Sequence, residues 1–132
     1  MHPSANACIF HVCTLSAARA IVRQGSYEAA SLRLEGFIHL SQAHQVRGVI
    51  ERYYAGQPDL VLLVVDPARL QVPLRFEPAL LPSTGVAAAA PTGGLFPHLY
   101  GPFNSDAVLR VIDARGFDGT AVYPERDSGP VP

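Results

Sequence analysis

Apolar residues change their period repeatedly along this chain, and the changes divide it into short elements. Residues 8–13 are apolar but for one imidazole, His11, and read as a first strand. Thr14 then caps a helix whose Leu15, Ala18, Ile21 and Val22 form a stripe, with Gly25 as its stop. Residues 27–35 read as polar and irregular, ending in a turn at Gly36, and 37–40 as a second strand. Ser41 is the expected cap of the next helix, where Val46, Val49, Ile50 and Tyr53 keep helical spacing until Gly56-Gln57-Pro58. The continuous run Leu60–Val65 reads as a strand buried on both faces. Asp66 and Pro67 predict a single helical turn, and Pro73 confines the short strand over 73–77 to a sheet edge.

Prolines and glycines around an alanine run make 78–97 a loop, with the flexible stretch at 78–95. Residues 107–114 read as the last core strand, and 125–132 as a disordered tail. Strands and helices mix without regular alternation. The expected class is therefore α+β: one small domain over 1–132, core 8–114, with a mixed or antiparallel sheet and two main helices.

Composition narrows the chemistry. At 132 residues and 48% hydrophobic, the chain can bury one core. A formal charge of -1 supplies no field to attract nucleic acid or an anionic membrane, so neither is an expected partner. All 10 basic residues are arginine, which excludes Schiff-base and P-loop chemistry but leaves bidentate phosphate recognition open. Cys8 and Cys13, five strand steps apart, point to opposite faces and cannot bridge each other. Free thiols, no basic-then-apolar start and no run long enough to span a bilayer give the expectation of a cytoplasmic protein.

The candidate chemistry is carried by Gly36-Phe37-Ile38-His39-Leu40-Ser41 and Leu95-Phe96-Pro97-His98-Leu99-Tyr100-Gly101-Pro102. In each, a histidine sits in an apolar run with a hydroxyl residue two positions on, and strand geometry sends i and i+2 to one face. Leaving a buried polar group unpaired costs roughly 1–3 kcal/mol, so a shared polar cleft is the simplest account. His11 serves either as a hydrogen-bonded strand residue or as part of that cleft. Arg52 reads as a solvated charge or an anion clamp, His44 as solvent-facing, and Arg75 with Glu77 as a surface ion pair. Three imidazoles and a carboxylate are ligand types for zinc or iron, but their spacing matches no familiar motif, so no metal is expected.

Taken in order with Phe10-His11-Val12, Arg52-Tyr53-Tyr54, 60–66 and Leu74-Arg75-Phe76-Glu77-Pro78, these two segments resemble a bacterial family called domain of unknown function 952. That family is held to be a distant member of the ADP-ribosyltransferase-like superfamily. The resemblance implies an ADP-ribosyltransferase-like fold and NAD, or a related small nucleotide, as substrate. It implies catalytic roles for His39, Glu77 and His98, with Glu77 or His98 in the third position, where a glutamate usually grips the ribose. Ligand-binding roles fall to His11 on the ribose hydroxyls, Ser41, Arg52 on a phosphate, and Tyr100. The other readings are a non-catalytic module for a small ligand or a protein, and a metal-dependent hydrolase.

Overall fold

The computed structural model describes residues 7–78 and 94–124. Most of the expected loop at 78–95 and the whole expected tail at 125–132 lie outside the described residues. Among them the element order is β1 (Ile9–Thr14), α1 (Leu15–Gln24), β2 (Ser26–Tyr27), α2 (Ala30–Glu35), β3 (Ile38–His39), α3 (Val46–Tyr53), β4 (Leu60–Val65), β5 (Leu74–Pro78), β6 (Leu95–Leu99), β7 (Phe103–Asn104) and β8 (Val108–Asp113). Single 3-10 turns occur at Ala43–Gln45, Pro67–Arg69 and Ser105–Ala107. The class is α+β, and every strand pairing is antiparallel.

Two three-stranded sheets dominate, ordered β1-β4-β8 and β3-β6-β5, with β2 and β7 as a separate pair. The β4 run is central, with Leu62, Leu63, Val64 and Val65 each fully buried, as a continuous apolar strand should be. Alternation along β1 and β4 splits the interior in two. Ile9, Cys13, Leu63 and Val65 pack with Ala18 and Ile21 of α1 and with Ile38, Leu99 and Phe103. Phe10, Val12, Leu62 and Val64 pack on the other side with Val46 of α3. Cys8 and Cys13 fall in opposite clusters as buried thiols that do not bridge each other.

A backbone bridge ties the two sheets together. Phe10 donates its amide to the Ser41 carbonyl at 2.8 Å, and Ser41 returns its own to Phe10 at 2.7 Å. This corrects the expectation that Ser41 caps a helix: its backbone is spent on β1, and it is buried. The capping passes to Gln42 and Gln45, which exchange side-chain and backbone hydrogen bonds as a capping box. By contrast Thr14 does cap α1, accepting from the Ala17 amide at 3.1 Å, and Asp66 caps its 3-10 turn, accepting from Ala68 at 3.0 Å.

Four further expectations are corrected. Residues 30–35 are not irregular but form α2, which fully buries none of its side chains and sets only Leu32 partly against the core, too short a stripe to read. Residues 95–97 belong to β6 rather than a loop; Pro97 is accommodated although it lacks an N–H to donate. The strand at 108–113 is half exposed rather than a core strand, because it lies at the edge of its sheet. Tyr53 and Val22 extend their helical stripes in sequence, yet both are more than half exposed. β5 is an edge strand, as Pro73 implies.

Gly101 closes the turn after β6 at φ 152, and a Cβ there would come within 2.7 Å of the Val72 side chain. Gly101→Ala is expected to lower stability by about 1–3 kcal/mol, measured as a drop in the urea midpoint at unchanged slope.

Candidate functional site

Register decides which side chains share a surface. His39 lies opposite His98 across β3 and β6, and Arg75 lies opposite His98 across β6 and β5. Ile38, Leu74 and Leu99 pack with the α1 side of the core, so alternation sends His39, Arg75, Glu77 and His98 to the outer face. Phe37 and Tyr100 flank the row. Gly36 delivers Phe37 to it: it ends α2 in the left-handed region at φ 91 and turns the chain straight into β3.

The side chains on this face touch one another. The rings of Phe37 and His98 are stacked at 4.0 Å and 18°. Phe37 also meets Tyr100 at 5.4 Å and His39 at 4.9 Å, and the two imidazoles stand edge to face at 5.6 Å. Beneath Phe37, His98 is 1% exposed, and its Nδ1 donates to Glu77 Oε1 at 2.8 Å. The Tyr100 hydroxyl donates to that same oxygen at 2.6 Å. His39, nearly half exposed, donates Nε2–H to Glu35 at 3.1 Å. The guanidinium of Arg75 sits over the Tyr100 ring, 5.2 Å from its centroid. Arg75 and Glu77, expected as a surface ion pair, make no salt bridge within 4.0 Å among the described residues, their close contacts going to different partners, though the guanidinium still helps to hold Glu77 ionised.

The electrostatics follow from these contacts. The Tyr100 hydroxyl, then the His98 imidazole, hold the Glu77 carboxyl below its ordinary range, so it stays ionised. The same bond pushes the Tyr100 phenol up, because losing its proton would set two anions side by side. Burial pulls His98 down, and the Glu77 hydrogen bond opposes it only in part. His98 is a neutral donor that positions Glu77; it has no surface to offer a ligand.

Of the seven expected site residues, His39, Glu77, His98 and Tyr100 come together and His11, Ser41 and Arg52 do not. His11 is buried on the α1 side of β1, its ring 5.9 Å from that of Tyr27 and 6.0 Å from that of Phe103. Its Nδ1–H donates to the His39 carbonyl at 3.0 Å, so it braces β3 from behind, and burial pulls its pKa down. Arg52 is exposed on α3, which packs against the opposite face of β1. A groove of about 310 Å³ lined by Arg47, Ile50, Glu51 and Phe117 also lies at α3 and contains none of the seven. Sequence reasoning missed Phe37 as the lid on His98, Glu35 as the partner of His39, and Arg75. The i, i+2 spacing already placed Phe37 beside His39; Glu35 carried no such signal. Among the described residues no group of three or more His, Cys, Asp and Glu is placed to hold a metal ion.

The pKa directions set a pH test. Folded His98 and His11 take up protons less readily than the unfolded chain, so stability is full above the ordinary histidine value of 6.5 and falls as pH drops below it. Histidine-resolved NMR titration is expected to place the His98 midpoint below 6.5. Glu77→Gln should move it lower still, since the carboxylate is what raises it.

Comparison with known proteins follows the same outline. The profile of the family described as "Protein of unknown function (DUF952)" matches residues 12–111. A crystal structure of protein CC0527 from Caulobacter crescentus is similar at 28% identity, covering 92% of this chain and 98% of that one, with a TM-score of 0.66. Its solution NMR structure is 31% identical over 80% of this chain and 83% of that one, with a TM-score of 0.61. No curated protein matches. With most of its described strands inside the matched span, and solved relatives covering nearly its whole length, the chain belongs to the DUF952 family.

Proposed function

We propose that the outer face of β3-β6-β5 binds NAD or a related nucleotide, as an ADP-ribosyltransferase-like enzyme or a remnant of one. The observation that carries this reading is the anchored Glu77: one oxygen accepts from both Tyr100 and His98, and the side chain stays about a third exposed. Breaking the bond between nicotinamide and ribose sends the bonding electrons to the ring nitrogen and leaves positive charge on the sugar. A carboxylate held ionised and already oriented stabilises that charge without reorganising. Glu77 therefore takes the third position, with His98 behind it as a positioning residue. Exposed His39 provides the wall for the nicotinamide end.

The placement of His11 favours a second reading. The resemblance assigns it the ribose hydroxyls, yet its ring is buried and its Nδ1 is bonded to a carbonyl. A face that lacks that contact suits a module that binds the ligand without turning it over.

Calorimetry with NAD, ADP-ribose and nicotinamide at up to millimolar concentration separates the outcomes. The expected result is saturable NAD binding, weakened about tenfold by His39→Ala, equivalent to about 1.4 kcal/mol. Release of nicotinamide from NAD, lost in Glu77→Gln, identifies the enzyme; binding and thermal stabilisation with no release identify the module. No heat from any of the three ligands overturns both readings.

A further inference from the structure

We propose that Arg75 is the phosphate-binding residue of this face, gripping the diphosphate of a nucleotide whose nicotinamide end lies at His39. The inference rests on the nucleotide reading and deepens it by naming where the anionic part of the ligand lies. Arg52, the residue first expected to do this, points away on α3.

Three observations carry the proposal. First, Arg75, His98 and His39 form one row straight across β5, β6 and β3. Because His98 is buried under Phe37, only the two ends of the row are open to a ligand. Two strand spacings of about 4.8 Å put their backbones roughly 10 Å apart, so a nucleotide whose ring lies at His39 can lay its diphosphate on Arg75. Second, the Arg75 guanidinium is exposed and makes no salt bridge within 4.0 Å to a carboxylate among the described residues, Glu77 attracting it only from a distance; it sits over the Tyr100 ring. A guanidinium stacked on one face keeps its N–H edge free for bidentate bonds to phosphate oxygens. Third, Glu77 lies two residues along the same strand, about 7 Å away. An outward cation beside an oriented anion matches a ligand that is anionic at its diphosphate and develops positive charge on the adjoining sugar.

The test uses the full chain and three probes: inorganic pyrophosphate, ADP-ribose and nicotinamide riboside, which has the sugar and the ring but no phosphate. Arg75→Gln is expected to weaken pyrophosphate and ADP-ribose about tenfold or more while leaving nicotinamide riboside unchanged. Arg75→Lys should recover part of the loss, and Arg52→Gln should change nothing. Wild-type affinity for pyrophosphate should fall with added salt, and that of Arg75→Gln should fall less. Since Arg75 is exposed, both variants should keep the wild-type melting temperature, and a matched melt guards against misfolding. Unchanged pyrophosphate affinity in Arg75→Gln, a loss in Arg52→Gln instead, or no wild-type pyrophosphate binding overturns the proposal. If nicotinamide riboside binds in each of those cases, the nucleotide reading stands without it. If pyrophosphate binds through Arg75 while NAD and nicotinamide riboside do not, the anion site stands and the NAD reading falls.

Discussion

Everything on the outer face depends on two backbone hydrogen bonds, the reciprocal pair between Phe10 and Ser41. β1 belongs to one sheet, and Ser41 follows directly on the short β3 of the other. Joining them brings His11 up against the back of β3, where it takes the His39 carbonyl, and lets Ile38 and Leu40 reach the α1 side of the core. With those apolar residues committed inward, the period of two leaves Phe37 and His39 no choice but to face out. The same logic runs through β6: Leu99 is driven inward, so His98 and Tyr100 are driven to the other side.

A buried imidazole then needs a partner, and β5 supplies it. Register places Arg75 opposite His98 and Glu77 one pleat along, so the carboxylate meets both His98 and Tyr100. The result is a neutral histidine, an ionised glutamate and a protonated tyrosine sharing one oxygen. Each protonation state is enforced by the other two together with burial. Such a network has a fixed geometry before any ligand arrives, which is what electrostatic stabilisation of a developing charge requires.

Much of this was legible in the chain. The clean signals were local: the Thr14 and Asp66 caps, the Gly25 stop, the continuous burial of β4, and the alternation that puts Cys8 and Cys13 on opposite sides. The i, i+2 rule grouped Phe37 with His39 and His98 with Tyr100 as the structure has them, but it also put Ser41 with His39, and Ser41 is bridged to β1 instead. What failed was non-local. Nothing around Ser41 announces that its amide and carbonyl are needed by β1, so a helix cap was the better local reading. α2 turns only Leu32 inward, and β6 begins among prolines and glycines that read as loop. Whether His11 joined the other imidazoles depended on which side of β1 faced β3, and one residue of register would have reversed it.

The short α2 has a consequence of its own. It fully buries no side chain, anchors only Leu32 partly on the core, leaves Leu34 81% exposed, and ends in the residue that holds the His39 ring. An element with so little apolar anchoring sits at the low end of the local-opening free-energy scale, while β4 sits near the global value. Amide protons of 30–35 should therefore exchange with solvent through fraying alone, long before those of the central strand. Each such excursion frees His39 of its carboxylate, so access to one end of the polar row is governed by the least anchored helix.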